Sequence, residues 1–182
     1  SIYDRFMERA IARVKQIVEG SPLEPATMIG AQASNDQLEK ILSYVDIGRK
    51  EGAKVLTGGA RRVHAGEFKD GYYVQPTVFE GTNRMRIFQE EIFGPVLSVA
   101  PFKDFDDALA IANDTPYGLA AYVSGSDMDA VRRVASRLRA GQVAINSPAP
   151  DLMAPFGGYN SVVVVQDRPS DGQDLDGGAS GD

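Results

Sequence analysis

Apolar residues recur at helical spacing through the first segment of the chain. Phe6, Ala10, Ile11, Val14, Ile17 and Val18 fall on one side, and Gly20-Ser21-Pro22 is a strong stop. A second helix is predicted from Ser34, where Ser34-x-x-Gln37 has the form of a capping box. Its apolar face is Leu38, Ile41, Leu42 and Val45, and it ends near Gly52. AKVLTGG is then a short apolar run closed by glycines, which predicts a buried strand. Residues 60–70 are polar and predict a loop, and Tyr72, Val74, Val78 and Phe79 mark an extended stretch. A short helical piece from Arg84 to Glu90 precedes the apolar strand PVLSVAPF.

The second part alternates more regularly. Asp104 is placed to cap a helix through Asp107, Ala108, Leu109 and Ile111; NDTPYG is a turn and LAAYVSG a strand. Asp127 opens a helix carrying Val131, Val134 and Leu138, with Arg137 and Arg139 near a C-terminal end whose dipole suits them. Gly141 ends it, and QVAIN is a further strand. Strands alternating with helices predict an α/β fold with an open, largely parallel sheet flanked by helices.

Composition narrows the chemistry. The 182 residues suit one domain better than two, and the absence of cysteine excludes thiolate nucleophiles, disulfides and thiolate metal sites from them. One histidine cannot build a His-rich zinc centre. A net charge of −6 offers no basic field for nucleic acid. No apolar run approaches a membrane span and no signal-peptide pattern opens the chain, so a cytoplasmic location without membrane contact is the expectation. The acidity is local: residues 166–182 hold five Asp and one Arg, leaving −2 for everything before them. That segment, with Leu175 as its one large apolar residue, predicts a disordered tail. A start at Ser1 rather than Met suggests processing or excision from something longer.

Spacing alone carries little catalytic signal. No G-x-G-x-x-G or Walker loop is present. His64 lies in a Gly-rich polar stretch and is expected to be an exposed loop histidine. Asp104, Asp106 and Asp107 are expected to be helix-start acids rather than metal ligands. Asp174-Leu175-Asp176-Gly177 resembles part of a calcium loop but lacks the third oxygen ligand and the later Glu. Glu90-Glu91 stands at the end of a helix, where carboxylates are disfavoured, just before Phe93-Gly94-Pro95. On these grounds a solvated surface pair and a functional pair are both open.

Longer stretches resolve the ambiguity. FQEEIFGPVLSVAPFKDFDDALAIANDTPYGLAAYVSGSD, with SIYDRFMERA, GAQASNDQLEKILSYVDIGRKEGAKVLTGG, GYYVQPTVF, RLRAGQVAIN and PFGGY, resembles the C-terminal half of the catalytic domain of the NAD(P)-dependent aldehyde dehydrogenases. The resemblance covers residues 1–160, and MIGAQ and DIGRKEGA look most like the acetaldehyde-type branch. It implies a partial catalytic domain over 1–160; residues 161–165 read either as the family's terminal strand brought forward or as an out-of-frame tail, ahead of the acidic tail over 166–182. It also implies cofactor-binding roles for Glu91 on the nicotinamide ribose hydroxyls, for Phe93 against the same ribose and ring, and for Gln37 and Lys40 on the nucleotide. Phe156 matches the aromatic that lines the aldehyde tunnel. Phe93 and Phe156 have a core reading beside this one, and Lys40 a plain surface reading.

The departures are as informative. The family's nucleophilic cysteine and general-base glutamate match nothing in this chain, and Asn160 stands where the family has lysine. The resemblance therefore implies a fragment of an NAD- or NADP-linked dehydrogenase, with no activity alone and weak or no cofactor binding. The alternative is a non-catalytic assembly or binding module. Apolar faces on the helices of Phe6 to Val18 and Leu38 to Val45, and the β-branched run SVVVV, predict self-association through sheet edges. A complementary dehydrogenase fragment is the other expected partner.

Overall fold

The computed structural model describes residues 2–147 and 157–159. Phe156, the candidate strand over 161–165 and the acidic tail lie outside the described residues. The chain divides into two compact units, Ser1–Pro101 and Phe102–Asp182.

In the first unit, α1 (Tyr3–Val14) and α2 (Asn35–Lys50) precede β1 (Lys54–Thr57), β2 (Arg61–Arg62), β3 (Tyr73–Val74), β4 (Thr77–Glu80), α3 (Arg86–Gln89) and β5 (Val96–Val99). β4 is the central strand, antiparallel to β1 (Val55 opposite Phe79) and parallel to β5 (Thr77 opposite Val96). Thr77, Val78 and Phe79 are all buried, the continuous pattern of a strand covered on both faces. α2 packs its predicted face, Leu38, Ile41 and Val45, into one core with Phe79, Val74, Ile87 and Ile92. That face is covered within the unit, so the sequence-based expectation that it drives association is not met. Phe6 and Val18 do remain exposed.

α1 stops before the spacing predicts. The carbonyl of Val18 accepts from the amides of Met28 and Ile29, and Glu19 bridges to Ile29, so a returning segment takes the backbone groups that a longer helix would use. Arg62 of β2 donates to Glu19 at 2.7 Å, and the Glu19 side chain is only 3% exposed. The polar stretch 60–70 is likewise not all loop, because β2 pairs antiparallel with β3 and Gly66–Phe68 forms a 3-10 turn.

The Tyr3 hydroxyl donates to Glu80 Oε2 at 2.6 Å, tying α1 to the end of β4. Partial burial and the Glu80 carboxylate push this phenol up to about 12 from 10.0. A folded pKa above the unfolded one favours the protonated form, so the link is fully present below pH 10 and is lost towards pH 12. Stability of the native chain should fall more steeply across that window than stability of Tyr3→Phe. Urea midpoints at pH 9 and 11 measure the difference, and parallel slopes for the two proteins would contradict it.

The second unit holds α4 (Phe105–Asn113), β6 (Ala120–Val123), α5 (Met128–Ala135) and β7 (Gln142–Ile145). β6 and β7 pair in parallel, Ala120 opposite Gln142 through Val123 opposite Ile145. Both predicted caps form: Asp104 accepts from the Asp107 amide, and Asp127 accepts from those of Asp129 and Ala130. α5 ends at Ala135, ahead of the predicted stop at Gly141. Asn113 explains this, since its side chain accepts from the Arg139 amide and donates to the Arg137 carbonyl, competing with helix continuation. Arg137 pairs with Asp106 at 2.9 Å instead of serving the helix dipole.

Gly141 lies flush against the two glycines of the P-F-G-G motif. A Cβ there would fall 1.7 Å from the Gly157 carbonyl oxygen, so the contact requires glycine. Among the described residues the strands form three sheets, with β4–β5 and β6–β7 parallel and β1–β4 and β2–β3 antiparallel, so the chain is α/β with mixed and parallel sheets.

Candidate functional site

The residues singled out in the first unit converge on the N-terminal half of α2 and the turn after α3. Ser34 caps α2 by accepting from the Gln37 amide at 3.2 Å. In a full capping box the Gln37 side chain would return to Ser34. Here it spans the fold instead, and Nε2 donates to the carbonyls of Ile92 at 3.2 Å and Phe93 at 2.7 Å. One turn further along α2, Ile41 packs so closely on Gly94 that a Cβ there would sit 2.5 Å from Ile41 Cδ1.

Another turn on, the Tyr44 hydroxyl donates to Glu90 Oε2 at 2.6 Å. Arg86 grips the same carboxylate with two bonds, Nε to Oε1 at 2.7 Å and Nη2 to Oε2 at 2.8 Å, and lies 5.6 Å from the centre of the Tyr44 ring. Arg86 first and Tyr44 second hold the Glu90 carboxyl down at about 2, and the carboxylate in turn raises Tyr44 and Arg86. Glu90 is therefore an engaged network member, and its pairing with Arg86 four residues back offsets the unfavourable helix-end position.

The next three residues carry the site. Glu91 is half-buried and Ile92 is buried in the core. Phe93 has φ 55 and is 66% exposed, so the core reading of this aromatic is not met. An L-residue in the left-handed region costs about 1–2 kcal/mol, and a bulky aromatic held there while facing solvent marks a position kept for something other than packing. Lys40 is exposed, one turn from Gln37. Gln37, Glu91 and Phe93 are thus brought together at one place, and Phe156 lies outside the described residues.

Sequence reasoning missed Tyr44. The Arg86–Glu90 spacing was legible as an i,i+4 pair, whereas Tyr44 and Glu90 lie 46 positions apart and only the packing of α2 on α3 joins them. Other candidates are accounted for structurally. His64 is not the exposed residue expected: it is half-buried, its Nε2 is buried, and its ring stands edge-on to Tyr73 at 4.4 Å and 71° because pairing of β2 with β3 draws the segment inward. Asp104 caps α4, Asp106 pairs with Arg137, and Asp107 accepts from the Lys103 amide. Among the described residues no cluster of three or more His, Cys, Asp or Glu could hold a metal ion.

An α/β chain of mixed strand pairing thus presents an aromatic at positive φ on a braced turn. The chain belongs to the aldehyde dehydrogenase family, whose sequence profile matches residues 1–171. It is 64% identical over 159 residues to a probable aldehyde dehydrogenase of Streptomyces coelicolor, covering 87% of this chain and 31% of that protein. Acetaldehyde dehydrogenase 2 of Cupriavidus necator is 61% identical over 160 residues, covering 87% of this chain and 32% of that one. Among solved structures, betaine aldehyde dehydrogenase from Staphylococcus aureus in complex with NAD+ superposes with a TM-score of 0.83 at 40% identity, over 87% of this chain and 32% of that one. The chain spans about a third of the length of the relatives it matches.

Proposed function

We propose that these residues form one wall of an aldehyde dehydrogenase active site, the wall that meets the nicotinamide end of NAD or NADP, and that the 182-residue chain performs no oxidation alone. The observation that carries this is the braced turn of Glu91 to Gly94, with Phe93 exposed at positive φ. A carboxylate suits a ribose diol, and an exposed ring beside it suits the sugar and nicotinamide faces. When bound, the cofactor accepts the hydride. The chain's own residues only place it: Glu91 fixes the sugar and Phe93 limits how the ring can lie. Exposed Lys40 is available to nucleotide phosphates, whereas both amide hydrogens of Gln37 are already donated to the turn. Phe156 keeps its assignment to the aldehyde tunnel.

Oxidation of an aldehyde to an acid by this family's route needs a thiolate nucleophile, and no cysteine occurs in the 182 residues. The missing groups would come from a complementary dehydrogenase segment. The second reading, an assembly module, draws support from exposed Phe6, Phe102, Phe105 and Tyr122, and self-association follows on either reading. Light scattering should show a dimer or larger species at micromolar concentration, and a monomer throughout would contradict it. No helix among the described residues is long and apolar enough to cross a membrane.

A chimera tests the function. Residues 2–159 would replace the matching third of the Streptomyces coelicolor relative. NADH formation from acetaldehyde by the chimera, with at least a tenfold loss on Glu91→Ala, is the expected result. A folded chimera that binds NAD+ without turnover, or one indifferent to Glu91→Ala, would overturn the assignment.

A further inference from the structure

We propose that one face of α2 is a three-point brace for the turn of Glu90 to Gly94, making Gln37, Ile41 and Tyr44 positioning residues for Glu91 and Phe93. The proposal rests on the reading that this turn meets the nicotinamide ribose. Positions i, i+4 and i+7 of a helix form one stripe about 10 Å long, and Gln37, Ile41 and Tyr44 have that spacing. Each meets the turn at a different residue. Gln37 holds the carbonyls of Ile92 and Phe93, Ile41 closes on Gly94, and Tyr44 holds the Glu90 carboxylate.

Gln37 and Ile41 meet Ile92 to Gly94, and the later Tyr44 meets Glu90. Glu91 is therefore flanked on both sides by anchored residues. Buried Ile92 pins the centre of the turn into the same core as Leu38 and Ile41.

This arrangement explains two features that otherwise stand apart. A capping-box glutamine that leaves its own helix terminus gives up a local bond, and two bonds to the turn replace it. Phe93 in the left-handed region needs something to hold it, and donation from Gln37 to the carbonyls of Ile92 and Phe93 fixes the peptide planes next to that φ. Arg86 completes the brace from α3 by holding Glu90 in the geometry that Tyr44 meets, while the amide of Arg86 is anchored on Glu51. Every contact of the brace is made between residues of this chain, and a turn held in this way lowers the ordering cost of binding.

The test uses the 182-residue chain, 15N-labelled, with Gln37→Leu and Tyr44→Phe. The readouts are the intraresidue HN–Hα NOE of Phe93, 15N relaxation of residues 90–94, and titration with nicotinamide mononucleotide. In Gln37→Leu, Phe93 should lose the strong intraresidue HN–Hα NOE of a fixed positive φ, the turn amides should become mobile, and about tenfold more mononucleotide should be needed for equal shifts at Glu91. Tyr44→Phe should loosen Glu90 and Glu91 and raise the requirement about threefold. Val78 and Phe79 should keep their shifts in both variants.

An intraresidue NOE of Phe93 and a turn relaxation both unchanged in Gln37→Leu would overturn the brace. Should that variant disturb Val78 and Phe79 as well, Tyr44→Phe decides: a loosened turn over an intact core supports the brace, and an unchanged turn overturns it. Mononucleotide that shifts nothing in the native chain, while Gln37→Leu still frees the turn, would leave the brace standing and remove the ribose reading.

Discussion

Incubated with acetaldehyde and NAD+ or NADP+, the 182-residue chain should form no reduced cofactor above a heat-denatured control, and it should not hydrolyse an activated ester. Both reactions in this family run through a cysteine thiolate, and the sequence contains no cysteine. The hydroxyl groups near the described site do not substitute. Tyr44 donates to Glu90, and the charged partner raises its phenol, which lowers its nucleophilicity at neutral pH. Ser34 is occupied by the Gln37 amide at the start of α2. Loss of the nucleophile removes the covalent route entirely, so the expected deficit relative to an intact relative is about a millionfold or more. Turnover that co-purifies with the chain and survives extensive washing would show that a different nucleophile operates.

Phe79→Ala should cost about 3–5 kcal/mol, the largest single-residue loss expected in the first unit. Phe79 is 0% exposed on the central strand and packs in one cluster with Leu38, Ile41 and Val45 of α2 and with Ile87 of α3. Truncation removes the ring from the point where sheet, helix and site-bearing segment meet. Domains of this size hold only about 5–15 kcal/mol in total, so the loss takes a large share of the stability. The turn should go with it, because α2 and Ile92 share that core. Urea unfolding followed by circular dichroism measures the loss, and a cost below about 1 kcal/mol would mean that the core is built elsewhere.

Local signals in the sequence carried the elements well. Ser34, Asp104 and Asp127 each cap the helix they announce, since a cap is a contact between residues two or three positions apart. The apolar runs at Lys54–Thr57, Val96–Val99, Ala120–Val123 and Gln142–Ile145 are strands. The misses share a cause. α1 ends early because Val18 pairs with Met28 and Ile29, α5 ends early because Asn113 reaches 137 and 139, and 60–70 contains β2 because β3 is available to pair. None of these partners is visible in a local window.

The site divides in the same way. Glu91 and Phe93 were legible only through resemblance to a family, because a Glu before a turn carries no chemical label of its own. The left-handed φ of Phe93, the reach of Gln37 across 55 residues and the Tyr44–Glu90 bond are products of tertiary packing. Gln37 was placed in a capping box by its spacing, and half of that box formed. The other half was taken by a stronger use elsewhere.

Titration of the chain with NAD+, followed at the amides of residues 37, 40, 91 and 93, tests most directly whether this turn is the wall that meets the nicotinamide ribose. One or two hydrogen bonds and a ring contact cannot offset the ordering of a flexible dinucleotide, so the expected constant is on the order of millimolar or weaker. The shifts should centre on Glu91 and Phe93 and disappear in Glu91→Ala. A micromolar constant that survives Glu91→Ala, or saturable shifts confined to residues away from this turn, would contradict it.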